Sequence, residues 1–466
     1  MATLDRLREI VKTHRPFDSA RGRQSPVPAV ANEEATLTGG GASFPGGPDH
    51  ARAALELGGA VVEHSGGAVI VVDREYRADM LHGRTPIGEI VSTITDGNDA
   101  TQLMAKAWPS LSALRAGADE SARWIGQGAR LMFLDLETTG LFGGAGTQAF
   151  LIGCAAIDGT SIRVRQFLLP GFEHERALLS ELQGWARGHG AICTYNGRTF
   201  DVPLIETRFL FHRVPCALDG VPHLDMLHPA RRMWRQRPLA MGTPDPDDSS
   251  CSLAVLEKQI AGLHRVGDVP GYEIPSRFFN FVRTGDARPL EAVLEHNRLD
   301  LISLAALLAR AIALITLGPS AAMTAQEAYG LARVYERGGA YDNAEASLIK
   351  TIEFARRVGG EPEVHAEALR RLAWIRRRDR RPYEAAEAWN ELAVLPRCAA
   401  ALRREAKEAL AIHHEHRLKD LQAARQHALD LLRDGVANPA RVQHRLDRLE
   451  RKLAFLTPTL PIHADN

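Results

Sequence analysis

The sequence predicts a multidomain protein with a mixed α/β domain in its middle, an all-helical C-terminal region, and a small α+β unit nearer the N-terminus. Three observations predict it. Short apolar runs of strand length alternate with helical stretches between residues 130 and 317. Strand signals vanish after Gly318-Pro319, a strong breaker. The chain has 466 residues, too many for one ordinary core, and its 45% hydrophobic and 24% charged composition is that of a globular protein.

Residues 1–50 hold a short helix, with apolar positions at Leu4, Leu7, Ile10 and Val11, and then a Pro, Gly and Ser-rich arm from Pro16 to Pro48. Residues 51–125 form the small α+β unit. Ala60-Val61-Val62 and Ala68 to Val72 are strands around Ser65-Gly66-Gly67, and Thr101 to Leu114 is a helix. Residues 126–318 form the three-layer α/β domain. Its strands are Leu131 to Leu134, Ala149 to Ile157, Ile162 to Leu169 and Ala191 to Tyr195. Its helices are Glu175 to Arg187, Pro203 to His212 and the long apolar stretch Leu290 to Leu317. Residues 320–455 contain three similar helix pairs, and residues 456–466 are a tail. Within the pairs, Ala332 and Ala344, Ala373 and Ala386, and Ala411 and Ala424 recur at near-constant intervals. Small residues at fixed places let helices pack closely, as in helical-hairpin solenoids. The region resembles degenerate tetratricopeptide (TPR-like) repeats, which implies a protein partner.

Lys plus Arg equals Asp plus Glu, 57 against 57, so global charge does not advertise a polyanionic partner, although a local groove can still be basic. The five cysteines are scattered and lack C-x-x-C spacing, which argues against a zinc ribbon or a disulfide scaffold. Met1 to Pro16 is charged and has no apolar signal-peptide core, and no run of 18 apolar residues is expected to span a membrane, so a cytoplasmic location without membrane contact is expected.

Three short elements carry the chemistry. In Asp135-Leu136-Glu137-Thr138-Thr139-Gly140 the two carboxylates follow an apolar strand and stand at i and i+2, on one face. Like charges held together are costly without a cation between them, and oxygen-only ligands suit hard cations such as Mg²⁺ or Mn²⁺. In Thr194 to Asp201 a strand runs through Asn196-Gly197 into a helix. Taken alone, Asp201 reads as a helix cap and Asn196 as a turn residue. His296 and Asp300 stand at i and i+4 of the long helix, on one face.

The order and context of these elements resemble the DEDD family of 3′–5′ exonucleases, whose fold is RNase H-like. The resemblance covers Arg130 to Leu317. More specifically, Leu141 to Thr147 followed by Ala149 to Gly153, Ser252-Leu253 through Glu257, and Pro270 to Pro275 look like the bacterial YprB-type RNase H-like group. The resemblance implies a mixed sheet flanked by helices and two-metal hydrolysis of phosphodiester bonds. Asp135, Glu137, Asp201 and Asp300 would hold two divalent cations, Mg²⁺ or Mn²⁺, and His296 would take a proton from water. Thr138, Thr139 and Gly140 would offer backbone N–H groups to the substrate, and Asn196 would orient it. The substrate would be DNA or RNA, entered at a single-stranded 3′ end. One departure stands out: three residues separate His296 from Asp300, a spacing that the family uses with tyrosine. The competing readings are a catalytically idle adaptor that recruits partners through the repeats, and a structure-specific endonuclease.

Other candidates fare worse. Gly143-Gly144-Ala145-Gly146 lacks the Gly-Lys-Ser/Thr ending of a P-loop. Asp225 and His228 read as core or surface residues, with approach to the site as the lesser alternative. His413, His414 and His416 are not arranged for a metal. The arginines at 370, 371, 376, 377, 378, 380 and 381 read as a solvated helix face and turn rather than a phosphate-holding surface.

Overall fold

The computed structural model describes residues 49–97, 130–140, 146–235, 251–359, 361–435 and 438–456. The helices expected at Leu4 to Val11 and Thr101 to Leu114, the Pro/Gly-rich arm, and Leu141 to Ala145 lie outside the described residues.

The centre is a seven-stranded mixed sheet. Its strands are β1 (Ala60–His64), β2 (Gly67–Tyr76), β5 (Leu131–Thr138), β6 (Ala149–Asp158), β7 (Ser161–Leu168), β8 (Ala191–Thr194) and β9 (His223–Asp225), in the order β1-β2-β7-β6-β5-β8-β9. A separate two-stranded ribbon, β3 (Leu81–His82) and β4 (Thr85–Pro86), follows β2. β5, β6 and β7 form an antiparallel meander, while β8 and β9 add in parallel beyond β5.

The strands expected in a separate α+β unit belong to this same sheet. β2 pairs antiparallel with β7 from Ile70↔Leu168 to Tyr76↔Ile162, and β1 closes that edge. The hairpin is legible in the residues around Gly66-Gly67, but its partner strand lies about ninety residues further on and is chosen by backbone pairing, which leaves no local mark in sequence.

Both faces of the sheet are covered. On one side lie α1 (His50–Glu56), α3 (Glu175–Ala186), α4 (Asp201–Phe211) and α7 (Ile274–Thr284). On the other lie α2 (Ile87–Asp96) and the long α8 (Glu291–Leu317). The alternation along β5 divides its side chains accordingly: Met132, Leu134 and Leu136 enter the first core and Phe133 the second. Asp135 and Glu137, in step with Phe133, therefore emerge on the α8 side. β6 is buried almost throughout because it is central and covered on both faces.

The expectation of no membrane-length apolar run needs correction. The α8 region contains a window of mean hydropathy 2.2, long and apolar enough to cross a membrane, but 72% of that window is buried within the protein. It is the core helix of the α/β layer, and packing on both sides makes it apolar all round. The five cysteines are unpaired.

Two short helices, α5 (Leu227–Met233) and α6 (Leu253–Leu256), complete the α/β region; a π turn, Glu257–Ala261, continues α6. Beyond α8 the described chain is helical: α9 (Ala325–Gly338), α10 (Tyr341–Val358), α11 (Pro362–Arg378), α12 (Pro382–Val394), α13 (Ala400–His413), α14 (Leu421–Arg433) and α15 (Pro439–Leu456). Each packs on the next, and α9 also touches α11, and α11 touches α13. Ala332, Ala344, Ala373, Ala386, Ala411 and Ala424 are all buried. Thr324 caps α9 by accepting from the Glu327 N–H at 3.1 Å. The Glu327 carboxylate accepts from Trp234 Nε1 at 3.0 Å, from Arg310 at 2.9 Å and from the Met323 N–H at 2.8 Å, tying α5, α8 and α9 at one buried point. Gly330 lets α9 lie against α5, since a Cβ there would stand 2.4 Å from Met233 Cα.

Candidate active site

The strand β5 delivers Asp135 and Glu137 to the edge of the α8-facing core, and the β5–β6 register shifts immediately after Glu137. Such a bulge re-aims the chain at the end of a strand. α4 begins at Asp201, and α8 brings His296 and Asp300 one turn apart. The four carboxylates come from segments far apart in sequence and repel one another. Burial, then Asp300, Glu137 and Asp201, drive the Asp135 carboxyl well above its ordinary value. Burial, then Asp300, Asp201 and Asp268, do the same to Glu137. Asp201 is pushed up to about 7 by burial and by Asp225. The sequence-predicted carboxylates are thus brought together into a site short of positive charge.

Asp201 is the first residue of α4, and its carboxylate accepts from its own backbone N–H, which works against the rise in its pKa. The loop before it is fastened by Asp225, which accepts from the N–H groups of Asn196 at 2.8 Å, Arg198 at 3.1 Å and Leu227 at 3.0 Å. Asn196 holds the left-handed φ of 66° that this turn requires. Asp225 is therefore a buckle for the loop, and His228 instead lines a cleft further along α5.

The Thr138-Thr139-Gly140 turn is more occupied than the sequence suggests. Thr138 Oγ1 donates to the Gly140 carbonyl at 2.9 Å, and the Thr139 N–H donates to the Gln148 carbonyl at 2.9 Å. Thr139 Oγ1 accepts from the Gln148 N–H at 3.1 Å. The Thr139 N–H is committed to the fold and is not aimed at a ligand.

Four residues that sequence reasoning passed over complete the site. Asn297, fully buried on α8, donates through Nδ2 to Asp135 Oδ2 at 2.8 Å and accepts from Gln166 Nε2 at 2.8 Å. It fits because residue 153, the β6 partner of Asp135, is glycine: a Cβ there would stand 2.0 Å from Asn297 Oδ1. Arg265 is the second. Its guanidinium joins Asp300, lies 2.6 Å from Glu257 Oε1 and 3.3 Å from Asp268 Oδ2. Glu257, the third, is buried and also accepts from Ser303, whose hydroxyl meets His82 Nε2 at 2.9 Å. Asp268 is the fourth: it lies 2.7 Å from His296 Nδ1. Burial works to raise the Asp268 carboxyl, but the hydrogen bond and charge of His296, with Arg265, outweigh it and hold the group below its ordinary value. His296 Nε2 lies 3.7 Å from Asp300 Oδ2. Glu257 and Asp268 had a signal available, since each adjoins a motif already noted. Arg265 and Asn297 had none, because an arginine in a loop and an asparagine in an apolar helix become informative only once their partners are known.

The donor set suits a hard divalent cation in chemistry, being all oxygen, and in charge, since the carboxylates are held against mutual repulsion. Its present arrangement is not a finished cage. Among the described residues no three His, Cys, Asp or Glu side chains are gathered as metal ligands, and Asp300 is turned to Arg265. Asp300 meets Arg265 through Oδ1, while its Oδ2 lies 3.7 Å from His296 Nε2.

Of the arginines at 370–381, Arg377, Arg378 and Arg380 are exposed, as a solvated face would be, while Arg370, Arg371, Arg376 and Arg381 form ion pairs with other helices. Arg370 meets Glu405 at 2.7 Å, Arg376 meets Glu345 at 3.0 Å, and Arg371 and Arg381 pair with Glu336 and Glu345. They tie one helix pair of the array to its neighbours.

Residues 132–312 match the RNase_H superfamily, a span that runs from β5 to the later part of α8 and contains Asp135, Glu137, Asp201, Asp300, Glu257 and Asp268. Over 334 residues, 69% of this chain and 75% of the relative, the sequence is 32% identical to "Uncharacterized protein YprB" of Bacillus subtilis (strain 168). The mixed seven-stranded sheet with helices on both faces fits this match. By the extent of that similarity, the chain belongs to the YprB family and carries an RNase_H superfamily domain.

Proposed function

We propose that this protein is a divalent-metal-dependent nuclease that hydrolyses phosphodiester bonds from a 3′ end. The observation that carries the reading is the meeting of Asp135, Glu137, Asp201 and Asp300 at one place, where their mutual repulsion calls for a cation. Two Mg²⁺ or Mn²⁺ ions held by these carboxylates would supply an activated water and charge stabilisation at the leaving 3′ oxygen. The chain's own groups do the rest. Asn297 fixes the orientation of Asp135, and Asp268 fixes the tautomer of His296, leaving Nε2 to receive the water proton. The loop at Asn196, buckled by Asp225 and lining a cavity, would orient the substrate. The exonuclease direction rests on the resemblance to the DEDD family. The helical array, with its buried alanines at repeat positions, is read as TPR-like.

One observation favours a second reading, an idle adaptor: Asp300 is engaged by Arg265 rather than offered to a metal. A single experiment separates the two. End-labelled single-stranded DNA and RNA are incubated with the protein in Mn²⁺, Mg²⁺ or EDTA, beside an Asp135→Ala variant, with a circular substrate included. Metal-dependent 3′ trimming that the variant lacks supports the nuclease. Cleavage of circles replaces the exonuclease by an endonuclease. No cleavage with any metal leaves the adaptor.

A further inference from the structure

The cleft between the α/β domain and the helical array has the charge that the carboxylate site lacks. α5 and the residues just after it place Arg231, Arg232 and Arg235 on one wall, and α9 places Arg333 on the other, around a cavity of about 490 Å³. A second cavity, of about 520 Å³, shares Arg231 and Arg235 and continues to Tyr195 and Asn196, in the loop that leads to Asp201. The two cavities share Arg231 and Arg235 and so form one path from the Asn196 loop to the array.

The charge on this path is concentrated. Arg231 and Arg235 are exposed, and among the described residues neither is joined to a carboxylate. Burial and then the cations of Arg333, Arg337 and Arg371 lower the Arg232 pKa, so its neighbours are largely of its own sign. Glu363 and Glu367 of α11 line the array side of the cleft, and Glu367 lies 3.7 Å from Arg370. In a chain of zero net charge, such a patch is a local arrangement. Its walls are joined to each other. The Glu327 junction and the contact of Gly330 with Met233 hold α9 against α5.

We infer that this arginine-lined path binds the backbone phosphates of a single nucleic-acid strand whose reacting end lies at the carboxylates. The inference rests on the nuclease reading for the location of the reacting end, but the cleft itself is argued from its own residues. A polyanion approaching four carboxylates is repelled by them, so the strand needs cationic walls beside the site. The path supplies these walls where they are needed, with Asn196 between the two regions. Sequence plays no part in such contacts, since guanidinium groups read phosphate and not base.

The test is equilibrium binding by the intact protein in EDTA, with fluorescent single-stranded oligonucleotides of about 20 and about 5 nucleotides, as DNA and as RNA. Wild type is compared with Arg231→Gln/Arg235→Gln. Arg356→Gln, which removes an exposed arginine paired with Glu391 on the array, controls for net charge. The double variant should bind the longer strands about tenfold more weakly, and its log–log salt slope should fall by about 0.7 for each phosphate that is no longer neutralised. The control should match wild type. Circular dichroism and melting confirm that each variant is folded. Undiminished affinity and an unchanged slope in the folded double variant overturn the inference, even if metal-dependent cleavage is present. Weakened binding without cleavage under any metal keeps the cleft and overturns the nuclease. Polyglutamate that binds wild type as tightly as the oligonucleotide does, and fails to bind the double variant, makes the cleft a dock for acidic protein, which also overturns the inference.

Discussion

Replacing Gly153 with alanine probes the support of Asp135 directly. The added Cβ would stand 2.0 Å from Asn297 Oδ1 and 2.7 Å from Nδ2, a distance at which something must move. The obstacle is a short, buried amide rather than the end of a flexible chain. It holds hydrogen bonds of 2.8 Å to both Asp135 and Gln166. Gln166 is fully buried and its Oε1 has no partner among the described residues, so the network has little slack. Overpacking costs about 1–3 kcal/mol, and a buried amide left unpaired costs about 1–3 kcal/mol more. We expect Gly153→Ala to destabilise by about 3 kcal/mol, roughly a hundredfold in the folded-to-unfolded ratio, read from the urea midpoint. Asn297→Ala removes the obstacle. In that background the same glycine substitution should cost about 1 kcal/mol or less, giving a coupling of about 2 kcal/mol. Additivity of the two substitutions within about 0.5 kcal/mol refutes the reasoning.

Burial, with Arg265 second, draws the His82 pKa from 6.5 down to about 4. Between these values the unfolded chain takes up a proton that the folded chain refuses, so stability falls as pH falls through the window. The loss approaches about 3 kcal/mol, and His82→Asn should flatten this part of a stability–pH curve. Because Asp201 titrates at about 7 without metal, Mn²⁺ binding should release protons near neutrality and tighten as pH rises through 7; calorimetry in buffers of different ionisation enthalpy reads both. Asp135→Asn keeps an acceptor for Asn297 and removes a repelled charge, so it should raise the melting temperature in EDTA while abolishing the shift caused by Mn²⁺. Arg265→Met leaves buried Glu257 unpaired, with an expected loss of about 3–5 kcal/mol in denaturant titration.

What was legible in the sequence follows the reach of each signal. Asp135 and Glu137 announce themselves because a strand presents i and i+2 on one face, and His296 with Asp300 because a helix presents i and i+4. The long helix was legible as an apolar stretch, and the buried alanines of the array stand where their spacing placed them. The hairpin β1–β2 was legible, but not its place beside β7, since edge pairing is a backbone affair decided at long range. The contacts of Arg265 with Asp300, Asp268 with His296 and Asn297 with Asp135 span 28 to 162 residues along the chain. No local pattern encodes such a pairing. The glycine at 153 was likewise silent, because its requirement comes from a side chain on another element.

The junction at Glu327 bears on what counts as a module in this protein. Three helices from two regions of sequence converge on one carboxylate, and the chain from Gly46 onward is a single compact unit. A cut after Leu317 would therefore not release a free-standing α/β piece: it would strip Met233 and Trp234 of their cover and leave Arg310 facing no acid. Heredity can recombine only what survives separation. A transplanted α/β core would have to carry α9 with it to keep that junction.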